Sequence, residues 1–395
     1  MPGCLKHEPI GAGTAGPWPS ASEPGSFLTA DGLATSTAGL IAKAAGARYI
    51  LLGESHTSPC DHLVQAAALA ALAEAGLRPA VGLEMVPADK QPALDDFNAG
   101  KLGVAELEKA VDWPHVWGYD YAMYAPIFAA AKAHGLPLYA LNAPAALIRE
   151  AAEKGLDNLA PQQRALLPAR VIAPPADQEQ SLREEFQAHQ AMGHRAKTGQ
   201  TGQIDQAAAA PEQNPGERPA MAKASFERFL FVQSLWDTQM AQRALAAFTA
   251  AGRPVVVLAG GGHVEFGYGV ASRLAVLDPG AKIVSVLAWR GGAPPEPGQA
   301  DVYFYCPETH KSRLGFQVEI RDGKAAAIQV EPGSKAERAG MLAGDVIAAA
   351  AGKPVTTLAD LHQAAVAALA AGQPLTLTIA RPGGEVGLTI ELGGK

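Results

Sequence analysis

Five short apolar runs, each the length of a buried strand, recur along the chain: Tyr49–Leu52, Ala80–Leu83, Leu136–Leu141, Val255–Ala259 and Ile283–Leu287. Amphipathic helical stretches separate most of them, among them Asp61–Gly76 and a long one at 224–250 that ends at Gly252 and Pro254. Strands apolar on both faces need cover on both faces, and strands alternating with helices build βαβ units. The pattern therefore predicts an α/β fold, a mainly parallel sheet with helices on both faces. Val302–Tyr305 reads as its last strand.

A chain of 395 residues holds two or three domains. Residues 1–44, rich in Gly, Pro, Ser and Thr at the start, read as a disordered lead-in, and 45–300 as the α/β domain. Within that domain the polar stretch GHRAKTGQTGQIDQAAAAPEQNPGERPA marks a flexible insertion at about 195–222. Residues 313–392 change character, with short β-rich runs, Gly-Asp turns and one helix, and read as a separate small domain.

Several classes are excluded. With 32 basic against 39 acidic residues the net charge is −7, which leaves no broad basic face for nucleic acid. Cys4, Cys60 and Cys306 are too few and too scattered for a disulfide scaffold or a four-thiolate zinc site. No apolar run reaches the roughly 18 residues of a membrane span. Pro2-Gly3-Cys4 resembles the tail of a bacterial lipobox, which would anchor Cys4 as a lipoprotein at the cell envelope; a chance cysteine on a cytoplasmic chain is the other reading.

In an open parallel sheet, ligands bind beyond the carboxyl ends of the strands. The first strand here runs into Gly53-Glu54-Ser55-His56, with His62 just beyond; the second ends in Glu84, the third in Asn142, and the fourth in Gly260-Gly261-Gly262-His263 followed by Glu265. On the long helix Gln233 and Asp237 lie four apart and share a face, embedded among apolar positions. Each residue alone has a structural alternative: Glu54 could cap a helix, and Asn142 could satisfy a turn before Pro144. Four agreeing strand ends favour a functional cleft. Two imidazoles with carboxylates suit a divalent metal, with His56 and His263 as ligands. Neither a phosphate-loop motif nor a G-x-S-x-G nucleophile elbow is present.

A second concentration is aromatic. Residues 113–124 hold Trp113, Trp117, Tyr119, Tyr121, Tyr124, His115 and Met123, in a chain only 6% aromatic. Such a patch is either a core cluster or dimer face, or a wall for a large flat ligand with a Tyr or His reaching an iron. His189 and His194 border the polar insertion, where they could close over a ligand.

These residues together resemble the ChaN-like haem-binding uptake family, part of a superfamily with the Tiki proteases and the erythromycin-esterase-like enzymes. The resemblance rests on Leu51–His56, Gly82–Met85, Trp117 with Tyr124-Ala125-Pro126, Leu141–Pro144, Gln233–Ala241 and Gly261–Val264, in family order over about 45–290. It implies an α/β fold, haem binding linked to iron uptake, and a lipid anchor at the envelope or periplasm. It also implies that Glu54, His56, Glu84, Asp237 and His263 form the superfamily's shared polar site, described in Tiki-type members as metal-dependent and hydrolytic. The haem-ligand candidates are Tyr119, Tyr121, Tyr124, His189, His194 and His263, with Tyr124 preferred.

The last domain resembles a PDZ domain over about 313–392. Leu314, Gly315 and Phe316, after Arg313, match the loop whose backbone N–H groups capture a peptide's terminal carboxylate, and His362 on the following helix borders the groove. The expected function is a haem-binding envelope protein whose PDZ module docks a peptide or protein C-terminus, with a homodimer capping the flat ligand as one possibility. The alternative is a metal-dependent hydrolase, with Glu54 or Glu84 as base on a metal-bound water. A third reading, a scaffold in which only the PDZ groove binds, leaves the strand-end carboxylates without a purpose.

Overall fold

Every residue of Tyr49–Glu54 is buried, and this strand is the middle of an eight-stranded sheet. In the computed structural model the described residues are 18–19, 23–198 (side chains to 187), 226–321 and 323–392. The strands of the first sheet are β1 (Phe27–Thr29), β2 (Ala34–Thr35), β3 (Tyr49–Glu54), β4 (Ala80–Pro87), β5 (Leu138–Asn142), β6 (Val255–Gly260), β7 (Ile283–Trp289) and β8 (Val302–Tyr305). Their order is β2-β1-β8-β7-β3-β6-β4-β5, parallel from β8 to β5. The α/β class read from the sequence is what the chain forms.

Alternation along the strands divides the core into two layers. Ile50, Leu52, Val256 and Leu258 face one layer, covered by α1 (Pro59–Glu74) and α2 (Tyr121–His134). Tyr49, Leu51, Val255 and Val257 face the other, covered by α4 (Phe226–Ala251) and α5 (Val270–Leu277). A helix α3 (Ala176–Thr198) precedes α4 and includes residues 195–198, placed by the sequence in the insertion. The rest of that insertion, and Cys4, lie outside the described residues.

The lead-in requires correction. Phe27–Thr29 pairs antiparallel with β8, Ala34–Thr35 pairs back on it, and a helix follows at Thr37–Ala44. Phe27 and Leu28 are buried, so this stretch belongs to the sheet. The domain also runs past residue 300, because Val302–Tyr305 pairs with β7.

The cysteines add a feature the sequence reading did not assign. Cys60 at the start of α1 and Cys306 just after β8 form a disulfide across a separation of 246 residues.

The C-terminal unit is an antiparallel sheet, again as the sequence implies. Its strands are β9 (Glu308–Ser312), β10 (Phe316–Arg321), β11 (Lys324–Val330), β12 (Val346–Ala350), β13 (Lys353–Pro354), β14 (Leu375–Arg381) and β15 (Gly384–Ile390). The order is β15-β14-β12-β11-β10-β9, with β13 on β12 and one longer helix, α6 (Leu358–Ala370). Its own core includes Phe316, Val318, Ile347, Leu361 and Ile379.

Candidate functional site

The strand ends converge as their sequence positions suggest. Glu54, Glu84, Asn142 and Gly260–His263 line a cleft of about 700 Å³ at the carboxyl edge of the parallel sheet. His56, Trp117, Tyr119, Gln233 and Trp236 share its lining.

Glu54 organises one half. Ser58, not Glu54, caps α1, so the carboxylate is free for other work. Its Oε1 accepts from the Tyr124 hydroxyl at 2.7 Å, lies 3.0 Å from His56 Nδ1 and 3.4 Å from His62 Nε2. Burial opposes the charge on Glu54. The electrostatic attraction of His62 and the His56 hydrogen bond outweigh it and hold the carboxyl well below the usual range. Burial likewise opposes charge on His56, but the Glu54 bond and the Glu84 charge raise its pKa. Among the described residues Glu54 Oε2 and both His62 nitrogens make no hydrogen bond, and the His62 ring lies 3.9 Å from that of Tyr124, centroid to centroid.

His263 organises the other half. Its Nδ1 lies 2.7 Å from Asp237 Oδ1, and its Nε2 lies 3.6 Å from Glu84 Oε1. Burial would lower its pKa, but the charge of Glu84 and the bond to Asp237 lift it to about 9. Glu84 is fixed by the Gly260 N–H, which donates to Oε2 at 2.6 Å. A Cβ on Gly260 would stand 2.9 Å from His56 Cε1, so only glycine lets β6 end this close to the imidazole.

Asp237 has two partners the sequence does not announce. Gln178 Nε2 donates to its Oδ2 at 2.9 Å, and the fully buried Arg273 places a guanidinium nitrogen 3.6 Å from that same oxygen. Both arrive from helices, α3 and α5, where no strand-end rule would find them. Arg290 is different: it follows β7 directly, lines the cleft, and holds the buried Asp61 bidentately at 2.6 and 2.7 Å. The rule that picked Glu54 and Glu84 would have picked it.

The remaining candidates separate. Asn142 lines the cleft, and its Oδ1 also accepts from the Ala143 N–H at 2.8 Å, which is the turn role weighed for it. The aromatic segment divides in two. Trp113, Tyr121 and Tyr124 turn into the core against Phe128, whereas Trp117 and Tyr119 flank His56, with ring centroids 4.7 and 5.4 Å from it. Tyr124 is fully buried with its hydroxyl on Glu54, and the Tyr121 hydroxyl donates to the Val104 carbonyl at 2.5 Å. Neither lines the cleft; Tyr119 does. The side chains of His189 and His194 lie outside the described residues. Among the described residues no group of three or more His, Cys, Asp or Glu side chains is arranged to hold a metal ion, so the reading of His56 and His263 as a divalent-metal pair finds no donor set. Each imidazole instead has its Nδ1 against a carboxylate of its own.

Residues 40–274 match the family described as haem-binding uptake, Tiki superfamily, ChaN. The chain belongs to that family. Residues 312–392 match the PDZ domain family, so the member carries a PDZ domain at its C-terminal side. A solved structure of cofacial haem binding to ChaN of Campylobacter jejuni is similar in fold, with a TM-score of 0.51 at 17% identity over 70% of this chain and 95% of that one. Weaker matches are the type III effector HopBA1, with a TM-score of 0.36 at 10% identity over 69% and 93%, and a mutant of the erythromycin esterase EreC in its open conformation, 0.36 at 15% over 67% and 76%. No curated protein matches the chain.

Proposed function

We propose that this ChaN-family member binds haem in the strand-end cleft and works in the bacterial cell envelope, in iron or haem uptake, with its PDZ domain docking a peptide or protein C-terminus. The observation that carries the haem reading is the composition of the cleft wall. Trp117, Tyr119, Trp236, Phe266 and Tyr268 bring aromatic rings to a lining in which polar and apolar side chains are mixed, and flat rings beside polar groups suit a flat cofactor. The donor set fits as well. Tyr119 is the phenol of its segment that faces the cleft, and it takes over the ligand role first assigned to Tyr124. Burial, then the charges of Glu84 and Glu54, raise its pKa, and the charge of a ferric iron would offset both carboxylates. His56 lies beside it, with ring centroids 5.4 Å apart, and is oriented by Glu54.

The envelope reading is supported by the Cys60–Cys306 disulfide, a bond that persists in oxidising compartments. Among the described residues no helix is long and apolar enough to cross a membrane. The anchor proposed is a lipid on Cys4.

The test is a haemin titration of the full chain followed by Soret absorbance. A saturable shift near one haem per chain, weakened at least ~10-fold by Tyr119→Phe or His56→Ala, is expected. No saturable shift, together with turnover of chromogenic esters that His263→Ala abolishes, would replace this reading with a hydrolytic one. The two imidazole–carboxylate pairs are the observation favouring that second reading.

A further inference from the structure

A PDZ-type module takes an extended peptide as an added strand on an exposed sheet edge, while main-chain N–H groups in a loop bind its terminal carboxylate. In this chain neither the edge nor the loop is open. Strand β10 pairs with β11 along one side and with β9 along the other, the second register running antiparallel from Phe316↔Ser312 to Ile320↔Glu308. The loop is engaged by the same segment. The Leu314 N–H donates to Ser312 Oγ at 3.1 Å, and the Gly315 N–H donates to the Ser312 carbonyl at 3.0 Å. Gly315 sits at φ +86°, and a Cβ there would fall 2.1 Å from Ser334 Cβ, so the loop conformation that aims these N–H groups depends on glycine.

We propose that Glu308–Ser312 is a built-in ligand of the PDZ domain, which a C-terminal peptide must displace before it can bind. Its direction is that of a ligand, antiparallel to β10 with its carboxyl end at the loop. Its oxygens stand where a terminal carboxylate would be received. The strand is built to leave: all five residues are polar, and among the described residues the core of this unit includes none of them. The Lys311–Glu331 ion pair at 2.7 Å is exposed at the lysine and holds it weakly.

The strand is also a tethered competitor. Glu308 follows the disulfide-bonded Cys306 by two residues, so its upstream end stays anchored to α1 while its downstream end runs into the loop. A tethered strand competes at high effective concentration and lowers the apparent affinity for an external peptide by the fraction of time the edge is open.

This inference rests on reading the unit as a peptide binder, and the experiment separates the two. The full chain is compared with a variant carrying Glu308→Gly, Thr309→Ser, His310→Gly, Lys311→Ser and Ser312→Gly. The probes are fluorescein-labelled decapeptides ending in Val, Leu, Phe or Ala with a free carboxylate, alongside their amidated counterparts. Amide hydrogen exchange across residues 314–320 is measured on both chains. The expected result is protection of these amides in the native chain and, in the variant, its loss at those that face β9 while those that face β11 stay protected, with at least ~10-fold tighter binding of free-carboxylate peptides and no gain for the amidated ones. Equal peptide affinity in both chains, or unprotected amides in the native chain, overturns the displacement mechanism itself. A variant with an open edge that binds none of the peptides overturns the proposal through the reading beneath it.

Discussion

His263 offers a quantitative test of the site's electrostatics. Burial disfavours its charge, yet Glu84 and Asp237 win against Arg273 and raise the pKa from 6.5 to about 9. Because the folded-state value lies above the unfolded one, protonated His263 stabilises the native state fully below pH 6.5. That contribution is lost as pH rises through about 9. At about 1.4 kcal/mol per tenfold in proton affinity, the gap between these values is worth on the order of 3 kcal/mol. The assay is guanidinium unfolding of the native chain and of His263→Gln at a series of pH values between 6.5 and 9. The variant should start less stable, because Asp237 loses its partner, and the two curves should converge as pH rises. Other groups titrate in both chains, so the difference between the curves isolates the histidine. Curves that run parallel across this interval would show that the carboxylates do not hold His263 in its charged form.

Two further outcomes follow from the geometry. Replacing Cys60 and Cys306 by Ser opens a covalent loop of 246 residues; the chain-entropy limit is about 5 kcal/mol, and a loss of roughly 2–4 kcal/mol is expected in denaturant unfolding, matched by reduction of the native chain with a phosphine. An unchanged midpoint on reduction would mean that the bridge does not constrain the unfolded chain. Gly260→Ala places a methyl group 2.9 Å from His56 Cε1 and 3.1 Å from Nε2, so the imidazole must swing from Glu54 at a cost of about 1–3 kcal/mol. Haemin affinity should fall about as far as in His56→Ala while the fold persists; full affinity would show that the pairing of His56 with Glu54 is dispensable.

The sheet and the polar edge were legible because both follow rules of position. Buried parallel strands read as continuous apolar runs, and ligand-facing groups sit where those runs stop, so Glu54, Glu84 and His263 stood out. The same rule covers Arg290, which directly follows β7. What escaped had no local signal. Phe27–Thr29 and Ala34–Thr35 are too short for alternation to register. Glu308–Ser312 is polar throughout, and its strand character comes from the edge it covers. Arg273 and Gln178 reach Asp237 from helices distant in sequence, and Cys60 finds Cys306 only once α1 and β8 are folded. The aromatic segment 113–124 shows the limit of composition most sharply, since one run supplies core rings (Trp113, Tyr121, Tyr124) and cleft rings (Trp117, Tyr119), a division set by tertiary packing.

That division bears on what the site is for. The polar machinery alone does not select a ligand: a buried carboxylate between imidazoles serves binding and proton transfer equally well. Among the described residues Glu54 Oε2 and His62 Nδ1 have no hydrogen-bond partner despite burial, a cost of about 1–3 kcal/mol for each group. The aromatic wall makes the choice. Trp117 and Tyr119 pack only partly buried on the edge of the core that absorbs their neighbours, with their rings against His56 and in the cleft lining. A flat apolar ligand would complete their burial on binding, whereas a small polar substrate would not. Trp117→Ala therefore discriminates between the readings: it should weaken a macrocycle severely and leave ester turnover nearly untouched.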